Sequence, residues 1–433
     1  MRKMKDSGLS WIDEIPHTWE TARVKYLFSS SKGLPITKEN LIENGLSVIS
    51  YGQIHAKSNN GVSVTQDLLR FVDFSYQLLY PKSQVFNGGF VFADTSEDLD
   101  GCGNCVYKRD NDLLFGGYHS IILHPKATTD NRFLAYLFKT DAWRKQIKEL
   151  VSGVKVFTIS QRALLNASVI LPPLDEQQRI GDFLDKECEK IDGLKTDIQT
   201  QIDMLEQYKR SVITEAVTHG LNLNVPMKDS GAGWMPFVPK HWEVEKFKYH
   251  LRLRGVKKQI DKQVLSLYRE LGIVPKDSRD DNHNVTSEDV SDYRYVRVGD
   301  FVVNKMKAWQ GSVAVSDYEG IVSPAYYVYE FVDDEIDKKY FHYLIRNKSY
   351  TTEFRRLSGG IREGQWDLPA EALQNTLVLL PPLDEQKAIA EYLDKKCAEI
   401  EQIIADKNTQ LDTLDDYKKS LIYEYVTGKK EAA

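Results

Sequence analysis

The stretch Leu171-Pro-Pro-Leu-Asp-Glu-Gln177 decides the fold, because it returns unchanged as Leu380-Pro-Pro-Leu-Asp-Glu-Gln386, 209 residues further along the chain. A second segment also repeats: Met4-Lys-Asp-Ser-Gly8 returns as Met227-Lys-Asp-Ser-Gly231, at an offset of 223 residues. Repetition of this size indicates two tandem units. Each unit has a long variable region followed by a helix of near-constant sequence.

Apolar residues recur every seven positions after each copy of the repeated heptapeptide, which is typical of a coiled-coil helix. We expect the two helices to pair through this series, which Lys407 interrupts once. The predicted interface residues are Leu184, Ile191, Ile198, Leu205 and Val212 in the first helix, and Leu393, Ile400, Leu414 and Leu421 in the second. A second apolar series is expected to fill the intermediate core positions: Ile180, Cys188, Leu194, Ile202 and Tyr208, then Ile389, Cys397, Ile403, Leu411 and Tyr417.

The two long helices are expected to run antiparallel. A compact domain tends to begin and end at nearby surface points, so the second helix should start near the end of the first and run back along it. If the helices cross with Ile198 opposite Lys407, the residue numbers of any two facing residues add to about 605. Cys188 then lies near Tyr417 rather than Cys397, and no disulfide between the two cysteines is expected. The alternative is that each helix packs only on its own domain.

The variable regions, about 20–170 and 243–379, have the pattern of mixed helix and strand. Apolar runs predict strands at Phe90–Phe92, Ile121–Leu123, Phe301–Val303 and Tyr326–Tyr329. Helical spacing appears from Phe133 to Ile147 and from Tyr340 to Phe354. A glycine turn follows in each copy, and Ser160 and Asp367 are predicted to cap the next helix.

Composition excludes several classes of protein. The formal charge of −6 argues against a protein that coats nucleic acid non-specifically, although it does not exclude DNA binding. No apolar run is long enough to cross a bilayer, and the polar start is unlike a signal peptide, so we expect a cytoplasmic protein. Four cysteines in a chain this long do not form a disulfide framework.

One group of residues superficially matches a zinc site: Cys102 and Cys105 form a C-x-x-C motif, and His119 and His124 follow. The segment from Gly117 to Pro125 is predicted to be a strand, where positions five apart point to opposite faces. The second unit has no counterpart of either cysteine. We therefore expect no metal site, and a zinc-dependent enzyme is kept as an alternative.

Catalytic motifs are missing from the sequence. It contains no phosphate-binding G-x-x-x-x-G-K-S/T loop, no G-x-G-x-x-G turn, no G-x-S-x-G elbow and no H-E-x-x-H pair. The Asn/Asp-Pro-Pro-Tyr/Phe loop of an adenine methyltransferase is missing as well, since both Pro-Pro pairs here stand between leucines. Asp337-Lys-Lys339 with upstream acids could suggest a nuclease, but so short a motif is common on surfaces. We expect no catalysis by this chain alone.

The arrangement resembles the specificity subunit of type I restriction-modification systems. The resemblance lies in Gly8, Trp11, Pro16 and Trp19, the Ser-Gly turn, the Leu-Pro-Pro-Leu-Asp-Glu-Gln motif and the heptad helix, all present twice and covering nearly the whole chain. In that family two target-recognition domains at opposite ends of an antiparallel helical pair each read one half of a split DNA sequence. The helices hold two adenine methyltransferase subunits, and motor-nuclease subunits complete the restriction complex.

The resemblance implies an α+β chain with two mixed α/β recognition domains separated by two long antiparallel coiled-coil helices, an internal tandem repeat with pseudo-two-fold symmetry. The expected parts are a first recognition domain at 1–173, a central helix at 174–220, a second recognition domain at 221–382 and a C-terminal helix at 383–428. S-adenosylmethionine, ATP and Mg²⁺ are expected on the partner subunits, and no cofactor on this chain. The rival interpretation is a coiled-coil scaffold that binds proteins and has no DNA specificity.

Candidate DNA-contact residues were chosen as cations, amides and aromatics near turns and strand ends, since these supply donors to phosphates and base edges. In the first domain they are Lys32, Tyr51, Gln53, His55, Lys57 and Lys155. In the second domain they are Arg254, Lys257, Lys258, Lys305, Lys307, Trp309, Gln310, Arg362, Gln365 and Trp366. Arg252 and Lys262 extend the basic run around Arg254.

Overall fold

A computed structural model describes residues 2–269, 271–278, 286–287, 289–360 and 366–432. These residues form two compact units, Met1–Ile198 with Thr409–Ala433, and Gln199–Asn408. Each long helix therefore contributes to both units. The sequence suggested four parts, in which each long helix is separate from the recognition domains. No described helix is both long and apolar enough to span a membrane.

The first unit combines short strands with short helices ahead of the first long helix. Its strands are β1 (Met4–Leu9), β2 (Ile12–Pro16), β3 (Glu20–Arg23), β4 (Phe28–Lys32), β5 (Leu46–Ile49), β6 (Arg70–Val72), β7 (Gln84–Val85), β8 (Phe90–Ala93), β9 (Thr95–Ser96), β10 (Cys105–Tyr107), β11 (Leu114–Gly116), β12 (Ser120–Pro125), β13 (Phe157–Thr158) and β14 (Ser168–Leu171). Its helices are α1 (Val24–Leu27), α2 (Tyr51–Ile54), α3 (Ser75–Leu79), α4 (Asn131–Lys139), α5 (Asp141–Leu150) and α6 (Gln161–Asn166), with 3₁₀ turns at Lys38–Asn40, Gln66–Leu68 and Pro81–Ser83. The long helix α7 (Leu174–His219) follows.

The second unit begins in the same order, with three strands, a short helix and a strand, and it ends in the same order, with a short helix, a strand and the long helix. Its strands are β15 (Met227–Asp229), β16 (Phe237–Pro239), β17 (Glu243–Lys246), β18 (Leu251–Arg254), β19 (Leu265–Tyr268), β20 (Gly272–Pro275), β21 (Arg294–Val296), β22 (Phe301–Asn304), β23 (Val313–Val315), β24 (Gly320–Val322), β25 (Tyr326–Phe331) and β26 (Leu377–Leu380). Its helices are α8 (Phe247–His250), α9 (Lys338–Ile345), α10 (Lys348–Leu357), α11 (Ala370–Gln374) and α12 (Leu383–Val426), with 3₁₀ turns at Lys276–Ser278 and Ala308–Gln310.

Both units contain the same antiparallel four-stranded sheet, in the order β10-β8-β12-β4 in the first and β23-β22-β25-β18 in the second. In each unit a separate two-stranded ladder, β3 with β14 or β17 with β26, joins the two ends of the variable region. The units differ in their remaining strands. The first has a second four-stranded sheet, β6-β5-β11-β7, and the second has the pairs β19-β20 and β21-β24. The α+β tandem repeat expected from the sequence is confirmed.

The repeated heptapeptide acts as a clasp between the start of the long helix and the domain beside it. In the first unit the indole Nε1 of Trp19 donates to Glu176 at 3.0 Å. The side chain of Gln177 accepts from the backbone N of Asp130 at 2.9 Å and donates to the carbonyl of Pro172 at 2.8 Å. Asp130 in turn caps α4, because its carboxylate accepts from the backbone N of Arg132.

The second copy makes the equivalent contacts. Trp242 Nε1 donates to Glu385 at 3.2 Å, and the Gln386 side chain accepts from the backbone N of Asp337, the N-cap of α9, at 2.8 Å. Gln386 also donates to the carbonyls of Pro381 and Glu335, both at 2.9 Å. The glutamate and the glutamine of the heptapeptide are therefore repeated because each has a structural partner that is also repeated.

The long helices pair antiparallel within each unit, as the sequence predicted. In the first unit Asp192 pairs with Lys418, and Lys195 with Asp415. In the second unit Lys209 pairs with Glu401. Lys407, the interruption of the seam, donates to Gln201. The helix contact continues into each domain core, since Leu184 and Leu421 belong to the same apolar cluster as Trp19.

The register of this pairing differs from the expectation. The numbers of the residues paired between the helices add to 610 in Asp192–Lys418, Lys195–Asp415 and Lys209–Glu401, whereas crossing at the seam centres predicted about 605. Lys407 with Gln201 and the stacked rings of Phe183 and Tyr425 add to 608, so the predicted neighbour of Cys188, Tyr417, is displaced by three to five residues. The ion pairs and the packing of the helix ends into the domain cores fix the register, and neither is visible in the heptad pattern. All four cysteines are free thiols.

The predicted interface residues are buried to different degrees. Leu184, Ile191, Val212, Leu393, Ile400 and Leu421 are buried, and Ile198, Leu205 and Leu414 are half-buried. The intermediate series was partly wrong. Leu194, Tyr208, Ile403 and Tyr417 are 53, 49, 45 and 54% exposed. A two-helix seam is too narrow to cover both series, so these four side chains face outward.

The local predictions have mixed outcomes. The strands expected around Val91, Ile122, Val302 and Val328 are present in β8, β12, β22 and β25. Ser160 caps α6 by accepting from the backbone N of Ala163 at 3.1 Å. Asp367 does not cap a helix, because α11 begins three residues later and its N-cap is Pro369. The backbone of Asp367 instead forms a two-way bridge with Gly359.

Candidate nucleic-acid interface

In the first domain, Lys32 and Tyr51 border the same surface. Lys32 is exposed at the end of β4 and lines a shallow cavity of about 580 Å³ together with Lys38, Tyr118 and His119. The ring of Tyr51 packs edge-on against Tyr118 at 5.3 Å and against His119 at 5.5 Å. A cavity with cations and aromatic edges at its rim can accept a phosphate or the edge of a base.

His119 was not predicted as a nucleic-acid contact, although the structure places it at the centre of this surface. Its φ is +53°, in the left-handed region that non-glycine residues seldom adopt. Its Nδ1 lies 3.2 Å from a carboxylate oxygen of Asp94. The available sequence signal was Gly116-Gly117 immediately before Tyr118, since paired glycines often mark a tight turn that exposes the next side chains.

Two other candidates in the first domain, His55 and Gln53, use their side chains for hydrogen bonds within the domain. His55 uses both ring nitrogens internally, with Nε2 2.8 Å from the carbonyl of Thr95 and Nδ1 3.0 Å from the amide of Asn104. The Gln53 side chain accepts from the backbone N of Ser50 at 3.2 Å and so caps its own helix. Lys57 is exposed beyond the end of α2. Lys57 therefore remains accessible to DNA, whereas His55 and Gln53 are committed to local structure.

Lys155 lies in a loop closed by a bridge between Ser152 and Thr158. Gly153 in this loop has φ +127°, and a side chain there would collide with the carbonyl of Val156, so glycine is required for the turn. Lys155 and both its neighbours are exposed. The glycine turn thus presents a cation to solvent, as the sequence predicted. Its counterpart Arg362, and Gln365, lie outside the described residues.

In the second domain the structure brings together five of the predicted residues. Trp309 and Trp366 lie with ring centroids 5.4 Å apart, and Lys305 Nζ lies 3.5 Å from a carboxylate oxygen of Asp367 beside them. Gln310 accepts from Arg269 at 2.7 Å through its side-chain oxygen. Lys307 is exposed at the start of the 3₁₀ turn that carries Trp309. We call Lys305, Lys307, Trp309, Gln310 and Trp366 the tryptophan cluster.

The basic run near β18 behaves differently from the expectation. Arg254 is 9% exposed and forms an ion pair with Asp300, whose pKa is raised by burial. A guanidinium held there cannot reach DNA, so Arg254 is a structural residue. Lys257 pairs with Asp292 at 2.8 Å on the surface, and Lys258 is exposed. Arg252 and Lys262 likewise pair with Glu330 and Glu319.

A cleft of about 1810 Å³ with both basic and acidic side chains lies in the second unit, lined by parts of α7, α9, α10, α12 and the Trp309 turn. Burial lowers the pKa of His342 to about 4, and a nearby arginine adds to the effect. The neutral imidazole contacts Arg346 Nη1 at 2.7 Å, and Arg346 also donates to the carbonyl of Arg269. His342 thus orients the arginine that supports Arg269 and Gln310. Sequence reasoning missed this network, because its members are far apart in the chain.

The residues of the rival zinc interpretation do not form a ligand set in the described part of the chain. Cys105 is buried, and burial raises the pKa of its thiol to about 11, which disfavours the thiolate that binds metal. His124 Nε2 contacts Ser31 Oγ at 2.7 Å, and His119 faces Asp94. Among the described residues, the group with metal-ligand geometry is a different one, His250 with Asp333 and Glu335.

The comparisons with known proteins agree with this architecture. The family model described as "Type I restriction modification DNA specificity domain" matches residues 16–204 and 257–413. Similar curated proteins include a putative type I restriction enzyme MjaX specificity subunit of Methanocaldococcus jannaschii, 22% identical, with 96% of this chain and 95% of that protein covered. The EcoKI specificity subunit of Escherichia coli is also 22% identical, with 97% and 90% covered.

Solved structures show the same fold at lower identity. One similar chain comes from a structure that concerns complex assembly and conformational transition of the type I R-M system. Its TM-score is 0.67 and its sequence identity 14%, and the match covers 96% of this chain and 99% of that one. The HsdS subunit from Thermoanaerobacter tengcongensis has a TM-score of 0.51 and 16% identity, covering 96% and 98%.

Proposed function

Because this chain belongs to the type I restriction-modification DNA specificity family, we propose that it is the cytoplasmic DNA-recognition subunit of such a complex. Each recognition domain reads one half of a bipartite, asymmetric DNA target. The long helices dock two adenine methyltransferase subunits, and motor-nuclease subunits join the assembly. The chain itself is non-catalytic, and S-adenosylmethionine, ATP and Mg²⁺ bind to the partner subunits.

The observation that carries the proposal is that two unlike surfaces are built on one repeated frame. The clasp residues and the central four-stranded sheet are the same in both units. The candidate contact surfaces are not: the first has Lys32, Tyr51 and Lys155, whereas the second has the tryptophan cluster. Since base edges are read by the particular donors, acceptors and apolar groups that face them, two unlike surfaces should read two unlike half-sites.

Docking of two identical partners is supported by four of the apolar residues that the helix pair leaves exposed. Leu194 and Ile403 occupy equivalent places in the two repeats, as do Tyr208 and Tyr417. The pairing register places Leu194 opposite Tyr417 in the first unit and Tyr208 opposite Ile403 in the second. Each unit thus carries one outward-facing pair of a tyrosine and an aliphatic residue, and aromatic and aliphatic side chains anchor protein interfaces. Two equivalent surfaces fit two copies of one partner.

The test is an exchange of recognition domains at junctions that the structure defines. Beyond the ladder of β3 with β14, Val24 N donates to Ala167 O at 2.9 Å. Beyond the ladder of β17 with β26, Phe247 N donates to Thr376 O at 2.9 Å. Replacing 24–167 with the same region of a relative therefore keeps the ladder and the hydrogen bond from Trp19 to Glu176. Replacing 247–376 is the matched exchange in the other unit.

Each exchange is co-expressed with the partner subunits, and adenine methylation is mapped across the genome. We expect the first exchange to change one half of the split motif and the second exchange to change the other half. If one exchange altered both halves, independent reading would be wrong. A complex that assembles with the methyltransferase subunits but shows no sequence-dependent methylation would favour the coiled-coil scaffold instead.

A further inference from the structure

His250 is a buried imidazole surrounded by carboxylates that the proposed function does not use. It ends α8 and is 2% exposed. Its Nε2 lies 3.1 Å from Glu245 Oε2, and its Nδ1 lies 2.9 Å from Asp333 Oδ2 and 4.0 Å from Glu335 Oε2. One ligand atom each from His250, Asp333 and Glu335 lies within 4.8 Å of the other two.

The charges of this group do not balance. Across the described ranges, no lysine or arginine forms an ion pair with Glu245, Asp333 or Glu335. Even a fully protonated imidazole offsets one of these three negative charges. Carboxylates gathered around one buried group without a compensating cation are unfavourable, because they repel each other. A divalent cation between Nδ1 and the two loop carboxylates would remove this imbalance.

The geometry is that of a histidine prepared to bind a metal. Both ring nitrogens lie within hydrogen-bond distance of a carboxylate, Nε2 of Glu245 and Nδ1 of Asp333. In the metal-bound form, Nε2–H would donate to Glu245, and the lone pair of Nδ1 would be directed to an ion held by Asp333 and Glu335. Metal-binding histidines commonly donate their second ring nitrogen to a carboxylate, which fixes the tautomer and raises the basicity of the ligand. The remaining oxygen of Asp333 accepts from the backbone N of Glu335 at 3.0 Å and holds the loop in place.

The first repeat shows that the fold does not need this imidazole. Leu27 occupies the place of His250 there, at the end of α1, and is buried. Its carbonyl accepts from Lys126 N at 2.8 Å, just as the carbonyl of His250 accepts from Val332 N at 2.9 Å. The backbone is therefore kept while the polar group is specific to the second repeat.

We propose that His250, Asp333 and Glu335 bind one divalent transition-metal ion, with Glu245 orienting the imidazole. One nitrogen and two carboxylate oxygens suit Zn²⁺ and its neighbours, with water completing the coordination. The ion would tie α8 to the loop before α9, which Gln386 already holds through the Glu335 carbonyl at 2.9 Å. The site is independent of which DNA sequence the domain reads.

The test uses the full chain without an affinity tag, freed of metal by a chelator and titrated with Zn²⁺ by calorimetry, with Co²⁺ absorption as a second readout. The wild type should bind one more equivalent of Zn²⁺ than His250→Leu, which copies the first repeat. Glu335→Gln should weaken binding by about tenfold or more. Asp334→Asn removes the neighbouring charge outside the group and should leave binding unchanged.

Equal Zn²⁺ stoichiometry and affinity in the wild type and His250→Leu would overturn the proposal and leave the group as an ion-paired histidine. If circular dichroism shows that His250→Leu is unfolded, Glu335→Gln decides, because the Glu335 side chain is 73% exposed and its loss should not disturb folding. Unchanged affinity in Glu335→Gln would then refute the site.

Discussion

The two recognition domains are alike where they contact the long helices, a region that we call the base, and they differ in their other strands. At the base, Trp19 and Trp242 are both fully buried and both donate to the glutamate of the repeated heptapeptide. Away from the base, a second four-stranded sheet in the first domain is replaced by two separate strand pairs in the second. Parts that must fit the long helices are thus repeated, whereas parts that face outward are free to diverge. The comparison can be tested by changing equivalent residues in the two repeats.

The largest effect is expected from Trp19→Ala and Trp242→Ala. Removing a fully buried indole leaves a cavity and takes one hydrogen bond from the clasp glutamate, which keeps its partner Arg2 in the first repeat and His241 in the second. Each change should therefore lower the free energy of unfolding by about 3–5 kcal/mol. Urea unfolding followed by circular dichroism measures both. Tryptophan-to-phenylalanine variants are the matched controls, because they keep most of the apolar volume and lose mainly the hydrogen bond. A large loss in one repeat with almost none in the other would show that the bases are not equivalent.

The glutamine of the clasp should distinguish the repeats. Gln177 makes two hydrogen bonds to backbone groups and Gln386 makes three. At about 1 kcal/mol for each bond lost, Gln177→Ala should cost about 2 kcal/mol and Gln386→Ala about 3 kcal/mol. The same unfolding experiment ranks the two variants. The reverse order would mean that the contact with the Glu335 carbonyl contributes nothing.

A pH dependence at one helix position, that of His342, should belong to the second repeat alone. The pKa of His342 is lowered from 6.5 to about 4 by burial, and the equivalent position in the first repeat is Ala135. Below pH 6.5 the unfolded chain takes up a proton that the folded chain refuses, so stability is complete above pH 6.5 and falls as the pH drops towards 4. By pH 5 the loss should be about 2 kcal/mol.

The measurement compares the wild type with His342→Ala at pH 7 and pH 5. The variant should be less stable at pH 7, because it leaves a cavity, but it should lose less stability on acidification. An identical loss in both proteins would assign the pH dependence to other groups.

The smallest effect on stability is expected at Tyr208 and Tyr417. Both are about half exposed, so replacement by serine should change the free energy of unfolding by less than about 0.5 kcal/mol. Under the proposed function, each single variant should bind one methyltransferase subunit tightly and the other weakly, and the double variant should lose both. Native mass spectrometry of the assembled complex counts the subunits. Retention of two tightly bound copies by the double variant would contradict the proposed docking surface.

Contact residues were harder to predict than the fold. Lys305, Lys307, Trp309 and Gln310 were predicted as one cluster because they are close in sequence, whereas Trp366 was expected in a separate cluster and lies against Trp309 instead. Arg254 was misjudged, because its partner Asp300 lies on a different segment and nothing local signals the ion pair. Whether a cation reaches solvent depends on what packs over it, and that is a property of the folded chain.

The sequence by itself determined the duplication, the long helices and their antiparallel pairing, because each depends on a pattern repeated along the chain. Only the tertiary structure decided the register of the helix pair, the outward orientation of Leu194 and Ile403, and the commitment of His55 to the interior. These depend on distances between segments that are remote in sequence. A periodic apolar pattern specifies that a surface is buried, but the side chains that meet across that surface are selected by the packing of the whole unit.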